Sequence, residues 1–130
     1  MSVLTLVALV AAACMAGVVL TRALAPSTRP AAPWVLPAGL CLLFLAWSLA
    51  AVATEGPFGF WVEHTQHLWG VQIWMDLLIG IGVALIFVIP EARKAGMTPL
   101  PWVVLTLCTG SIGLLAMVAR LFWLRSRAAQ

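Results

Sequence analysis

Four apolar stretches, near residues 2–20, 34–53, 71–90 and 100–124, take up most of this 130-residue chain. A helix needs ~20 mostly apolar residues to cross ~30 Å of hydrocarbon, and each stretch reaches or nearly reaches that length. In lipid a backbone must satisfy its own hydrogen bonds, so such stretches have to be helical. The expected fold is all-α: a polytopic membrane protein forming an antiparallel four-transmembrane-helix bundle. Connections of ~10–20 residues leave no room for a second domain, so residues 1–130 read as one.

Composition narrows the function classes. Hydrophobic residues make up 64% of the chain and charged residues 8%, the reverse of a disordered or nucleic-acid-binding profile. A mean hydropathy of +1.11 excludes an ordinary soluble domain. The net charge of +3 comes from basic residues near stretch ends, which suits orientation in a membrane and contact with lipid headgroups. No nucleic-acid partner is expected. The start, Met1-Ser2-Val3-Leu4, has no basic residue, and the run after it is long for a signal peptide, so it reads as a retained first helix. Cys14, Cys41 and Cys108 fall in three different stretches with no Cys-x-x-Cys pair. They read as small buried hydrophobes, which excludes a quinone-linked thiol oxidoreductase.

Basic residues near the stretch ends set the expected orientation. The first connection holds Arg22 and Arg29 and the third Arg93 and Lys94, while the second holds none. Arg120, Arg125 and Arg127 close the chain. The positive-inside tendency then places connections one and three in the cytoplasm of a bacterial inner membrane, with both termini outside. Trp34, Trp61, Trp69, Trp102 and Trp123 lie at or beyond stretch ends, where amphipathic rings sit at headgroup level.

Membrane helices associate through small residues and hydrogen bonds, because lipid tails are as apolar as Leu. Gly39, Gly80, Gly110 and Gly113 are the expected helix-packing glycines. Asp76 is the one acid well inside a stretch, and such residues usually face a bundle interior and find a partner. Arg120 is the expected partner, since antiparallel third and fourth spans would bring their remote ends together. The pair reads either as an orientation lock or as a polar centre for headgroup binding, proton relay or catalysis.

Two further clusters carry polar chemistry. In Glu63-His64-Thr65-Gln66-His67, the two His lie about one helical turn apart and Glu63 is four residues from His67. Two His and a carboxylate could ligate a first-row metal. The same segment reads more simply as an interfacial helix with a solvated side, so no metal is assigned. Arg93 and Lys94, with Arg29 from the first connection, are the candidates for holding an anionic headgroup. No Gly-rich phosphate loop, Ser-His-Asp arrangement or His-Glu-x-x-His motif occurs. No cofactor is predicted, though a lipid, quinone or carotenoid could lodge among such helices.

The segments Ile73-Trp74-Met75-Asp76-Leu77-Leu78 and Ile89-Pro90-Glu91-Ala92-Arg93-Lys94-Ala95-Gly96-Met97, then Pro101-Trp102 and Gly110-Ser111-Ile112-Gly113, carry a resemblance. Residues 56–127 resemble a family of small uncharacterised bacterial four-helix integral membrane proteins, departing from it at 115–119. The resemblance implies no activity. More loosely, the layout is similar to small membrane cyclases of isoprenoids and carotenoids, which protonate a double bond with an acidic residue. That likeness implies Asp76, Glu91 or Glu63 as the acid. Three functions follow as expectations. The chain is foremost an accessory or assembly subunit packing on a larger membrane complex. The second is an enzyme or binding protein for an isoprenoid, quinone or carotenoid with Asp76 as candidate acid. The third is an oligomeric small transporter. Its partners are expected to be membrane lipids and other membrane subunits or further copies of itself.

Overall fold

The computed structural model describes residues 2–24 and 32–129. These form six helices and, among the described residues, no strand: α1 Val3–Leu24, α2 Val35–Glu55, α3 Gly59–Thr65, α4 Leu68–Lys94, α5 Pro99–Thr109 and α6 Ser111–Ala128. Three of them, α1, α2 and α4, are long and apolar enough to cross a membrane. The chain divides into two compact units, Met1–Pro30 and Ala31–Gln130.

The first unit is α1. Ser2 opens it: its hydroxyl accepts from the Thr5 N–H at 3.1 Å, satisfying a donor that the first helical turn leaves free. No residue of α1 is buried within the structure. An Ala-, Val- and Leu-rich helix apolar on every side is built for an apolar solvent.

In the second unit α6 packs on α2, α5 and α4. The end of α4 shows why Gly96 stands where it does. The helix runs through Pro90 to Lys94, and the chain then turns at Gly96, whose φ of 76° suits a residue without Cβ. Gly96 N–H donates to the Arg93 carbonyl at 3.0 Å and Met97 N–H to the Ala92 carbonyl at 2.9 Å. This pair of bonds is the Schellman stop, and Met97 closes it by packing into the core beside fully buried Ala92.

The stretch expected to form a fourth spanning helix is broken. At Gly110, with φ 62° and ψ −129°, the chain leaves helical geometry after eleven residues of α5 and reverses into α6. The reversal is tight. A Cβ on Gly113 would lie 2.5 Å from the Thr106 nitrogen and 2.6 Å from its Cα, so only glycine lets the two helices approach this closely. Thr106, Gly113, Met117 and Leu121 are buried in the resulting seam and in the core it shares with Leu85 and Ala92 of α4.

Because of this reversal, α6 runs parallel to α4 and α5 antiparallel to it. The α5–α6 turn lies beside the middle of α4, with Ile81 Cδ1 3.9 Å from the Cβ position of Gly110. At the far end of α6, Arg125 donates to Glu91 of α4. The first part of α2 packs on α6, where the Cys41 thiol donates to the Ile112 carbonyl at 3.4 Å. The orientation argued from sequence put Arg120, Arg125 and Arg127 at the end opposite Arg93 and Lys94. The hairpin removes that premise, since α6 returns to the end it left.

Candidate functional site

The other end of the second unit is built by α3 and the start of α4. Gly70 allows the contact: a Cβ there would lie 2.8 Å from the Glu63 carbonyl oxygen and 2.9 Å from that of His64. Against this seam Phe60 stacks on Trp74, ring centroids 5.7 Å apart, and His64 meets the same indole edge-on at 5.5 Å. His64 Nδ1 donates to the Phe60 carbonyl at 2.6 Å, which turns the ring toward its own helix. Among the described residues no three His, Cys, Asp or Glu side chains are grouped as a metal site would need. His67 is exposed and stands as the residue before α4 in an extended conformation.

Asp76 stands two residues beyond Trp74, on the part of α4 that the hairpin does not reach. It lies eight residues from Leu68, ~12 Å along the helix, and five residues, ~8 Å, from Ile81 at the midpoint. Its side chain is exposed. Among the described residues the ion pairs are those of Glu91, with Lys94 and with Arg125; Asp76 is in neither. The expected partnership of Asp76 with Arg120 is therefore not formed. The reason is the turn at Gly110, which carries Arg120 to the opposite end of α4. There Arg120 shares a cleft with Ala95, Met97, Thr98, Pro101 and Leu124. Its guanidinium lies 4.5 Å from the Trp123 ring centroid, and that of Arg127 lies 4.0 Å from the same ring.

The four glycines separate into distinct roles. Gly113 makes the close approach described above. Gly110 is a turn residue, its positive φ the condition for the hairpin. Gly39 and Gly80 have nothing within 4 Å of their Cβ positions, so neither lies at a helix contact. Among the headgroup candidates, Arg93 is exposed and Lys94 donates to Glu91 at 2.7 Å, while Arg29 lies outside the described residues.

Three features of this unit were not anticipated from sequence. The first is Glu91 as the hub of two ion pairs. The second is Gly70 as a contact glycine. The third is Thr109, whose hydroxyl donates to the Leu105 carbonyl at 2.7 Å and accepts from the Gly113 N–H at 3.0 Å. A Gly three or four residues beyond a Thr near a helix break is the pattern that could have revealed this last one. No family model, curated protein or solved structure matches the chain.

Proposed function

We propose that this chain is a small integral membrane subunit, of a bacterial inner membrane, that docks sideways on a larger membrane partner through the face of α4 centred on Asp76. One observation carries the reading. An ionisable side chain sits near the middle of the longest apolar helix, exposed, and in no ion pair among the described residues. A charge facing lipid at that depth costs several kcal/mol, so such residues usually meet a partner group. The surroundings support a protein partner. Ile73, Ile79, Val83 and Phe87 are exposed on the same helix, and Gly80, one turn from Asp76, is open to close approach. Small residues beside a polar one are what membrane helices use to associate.

The enzyme reading finds less support. A carboxylic acid that protonates a double bond needs a cavity to hold the substrate against it. The clefts between α4, α5 and α6 lie at the opposite end of α4, lined by residues such as Thr98, Arg120, Lys94 and Arg125.

Extraction of the tagged full chain from its native membranes in a mild detergent tests the proposal. A stoichiometric membrane partner is expected, retained by the native chain and lost from Asp76→Leu. Recovery of the native chain without any partner, or equal retention by Asp76→Leu, would count against it. Recovery as a pure homo-oligomer would favour the transporter reading instead.

A further inference from the structure

We propose that α5 and α6 form a re-entrant hairpin, which enters the bilayer from the cytoplasmic face, turns at Gly110 near the midplane and returns to the face it left. Its two ends, with the end of α4, make one basic surface that binds anionic phospholipid headgroups. The inference is independent of how Asp76 is used.

Depth is the first argument. The turn sits beside Ile81, thirteen residues from either end of α4, so ~20 Å from both. The eleven residues of α5 span ~16 Å, about half of a ~30 Å hydrocarbon layer. Both routes place the turn at mid-depth of a helix long enough to cross. α6 then runs back beside α4 to the Glu91–Arg125 pair.

The second argument is that the turn is fit for that depth. Irregular backbone is tolerated inside a membrane only where the protein itself supplies partners for the freed groups. Here Gly110 N–H donates to the Thr106 carbonyl at 2.7 Å, and Thr109 bridges Leu105 and Gly113 through its hydroxyl. The Ile112 carbonyl accepts from Cys41 of α2. Thr106 is 1% exposed, its own hydroxyl donating to the Trp102 carbonyl at 2.8 Å. A turn in water has no need of this self-sufficiency.

The third argument is charge. Every Lys and Arg between Ala31 and Gln130 (Arg93, Lys94, Arg120, Arg125 and Arg127) lies at or near the end where α4 stops and α6 finishes. Five cations face one carboxylate there, Glu91. Glu55 and Glu63 belong to the opposite end, with the close of α2 and with α3. An unbroken fourth helix would split the five cations between the two faces. The hairpin gathers them, and a one-sided basic surface is what the positive-inside rule associates with the cytoplasm and its anionic leaflet. Trp102 and Trp123 stand among these cations, with Arg120 and Arg127 over the Trp123 ring. Aromatic rings of this kind belong at headgroup level.

Single-cysteine reporters in the full chain test it, with Cys14→Ala, Cys41→Ser and Cys108→Ala as background. Thr98→Cys and Ala129→Cys are expected to react with a membrane-impermeant maleimide only after the cells are permeabilised, and Pro57→Cys in intact cells. Labelling of position 129 but not of position 98 in intact cells overturns the hairpin, and labelling of both overturns its cytoplasmic placement. A second arm measures lipid directly, by native mass spectrometry of the purified chain in micelles doped with phosphatidylglycerol or phosphatidylcholine. Preferential retention of phosphatidylglycerol is expected, falling about fivefold per residue removed in the series Arg120→Gln, Arg125→Gln and Arg127→Gln, since each cation near such a surface contributes ~1 kcal/mol. Equal retention of the two lipids overturns the headgroup surface even if the labelling pattern holds.

Discussion

Glu91 and Arg125, 34 positions apart in sequence, form an ion pair that ties the end of α4 to the end of α6. The pair reports the direction of α6, because a helix continuing straight on from α5 would carry Arg125 to the other end of α4. A short bismaleimide should therefore join Glu91→Cys to Arg125→Cys in a background without the native cysteines. The control pair, Asp76→Cys with Arg120→Cys, should remain uncrosslinked under the same conditions. Gel mobility after cleavage of the α4–α5 connection at an engineered protease site distinguishes the two.

Gly113 and Gly80 should respond oppositely to the same substitution. Gly113→Ala forces a Cβ to 2.5 Å from backbone, which only a displacement of α5 from α6 can relieve. A loss of about 1–3 kcal/mol is expected, the usual range for overpacking. Gly80→Ala meets nothing within 4 Å and replaces a poor helix former with the best one, a gain of up to ~1 kcal/mol. Chemical denaturation in micelles, followed by far-UV circular dichroism, reads both. Equal effects of the two would show that α5 and α6 do not touch.

Thr109 holds the break in the fourth apolar stretch. Thr109→Val keeps the shape of the side chain but removes the acceptor for the Gly113 N–H. The expected cost is about 1 kcal/mol, as for loss of a helix cap, and more where water cannot replace the hydroxyl. Thr109→Ser should restore it. Amide exchange at Gly113 is the local readout, rising in Thr109→Val and returning to the native rate in Thr109→Ser.

Gly70 fixes α3 against α4. Gly70→Ala places a Cβ 2.8 Å from the Glu63 carbonyl and should lever α3 away from the helix. Amide exchange over residues 60–65 is expected to rise on the order of tenfold, equivalent to ~1.4 kcal/mol of local stability. Exchange in α5 and α6 should not change, because α3 packs on α4 and not on the hairpin.

Much of the fold was legible because hydrocarbon thickness and helix pitch leave little choice. The apolar runs 2–20, 34–53 and 71–90 correspond to α1, α2 and α4, with ends within a few residues, and Gly96 ends α4 as a glycine in that position should. The fourth run was misread for a physical reason. Hydropathy averages over side chains and does not register a backbone reversal, and Gly110 looks the same in sequence whether it packs a helix or turns one. Its positive φ, the hydroxyl of Thr109 and the contact of Gly113 with Thr106 are properties of three-dimensional placement. The candidate site inherited that misreading. Asp76 was identified as the one acid within a span, but its partner was inferred from a helix direction that Gly110 reverses. Glu91 entered the sequence reading as an acid implied by the cyclase likeness, and its tie to Arg125 needed the same reversal to become visible.

The contact between Cys41 and Ile112 bears on how the chain is made. The last two helices bury their seam against α2 and α4, which a ribosome delivers first. An apolar run emerging after them resembles any other passenger for the insertion machinery and could be threaded straight through. In the proposed re-entrant arrangement, its retention on the near side depends on a receiving surface already seated in the lipid. With an arrest sequence appended so that α5 and α6 have cleared the ribosome, both ends of the proposed hairpin should thus remain on the side at which it entered, and its insertion should be a folding event rather than a translocation event.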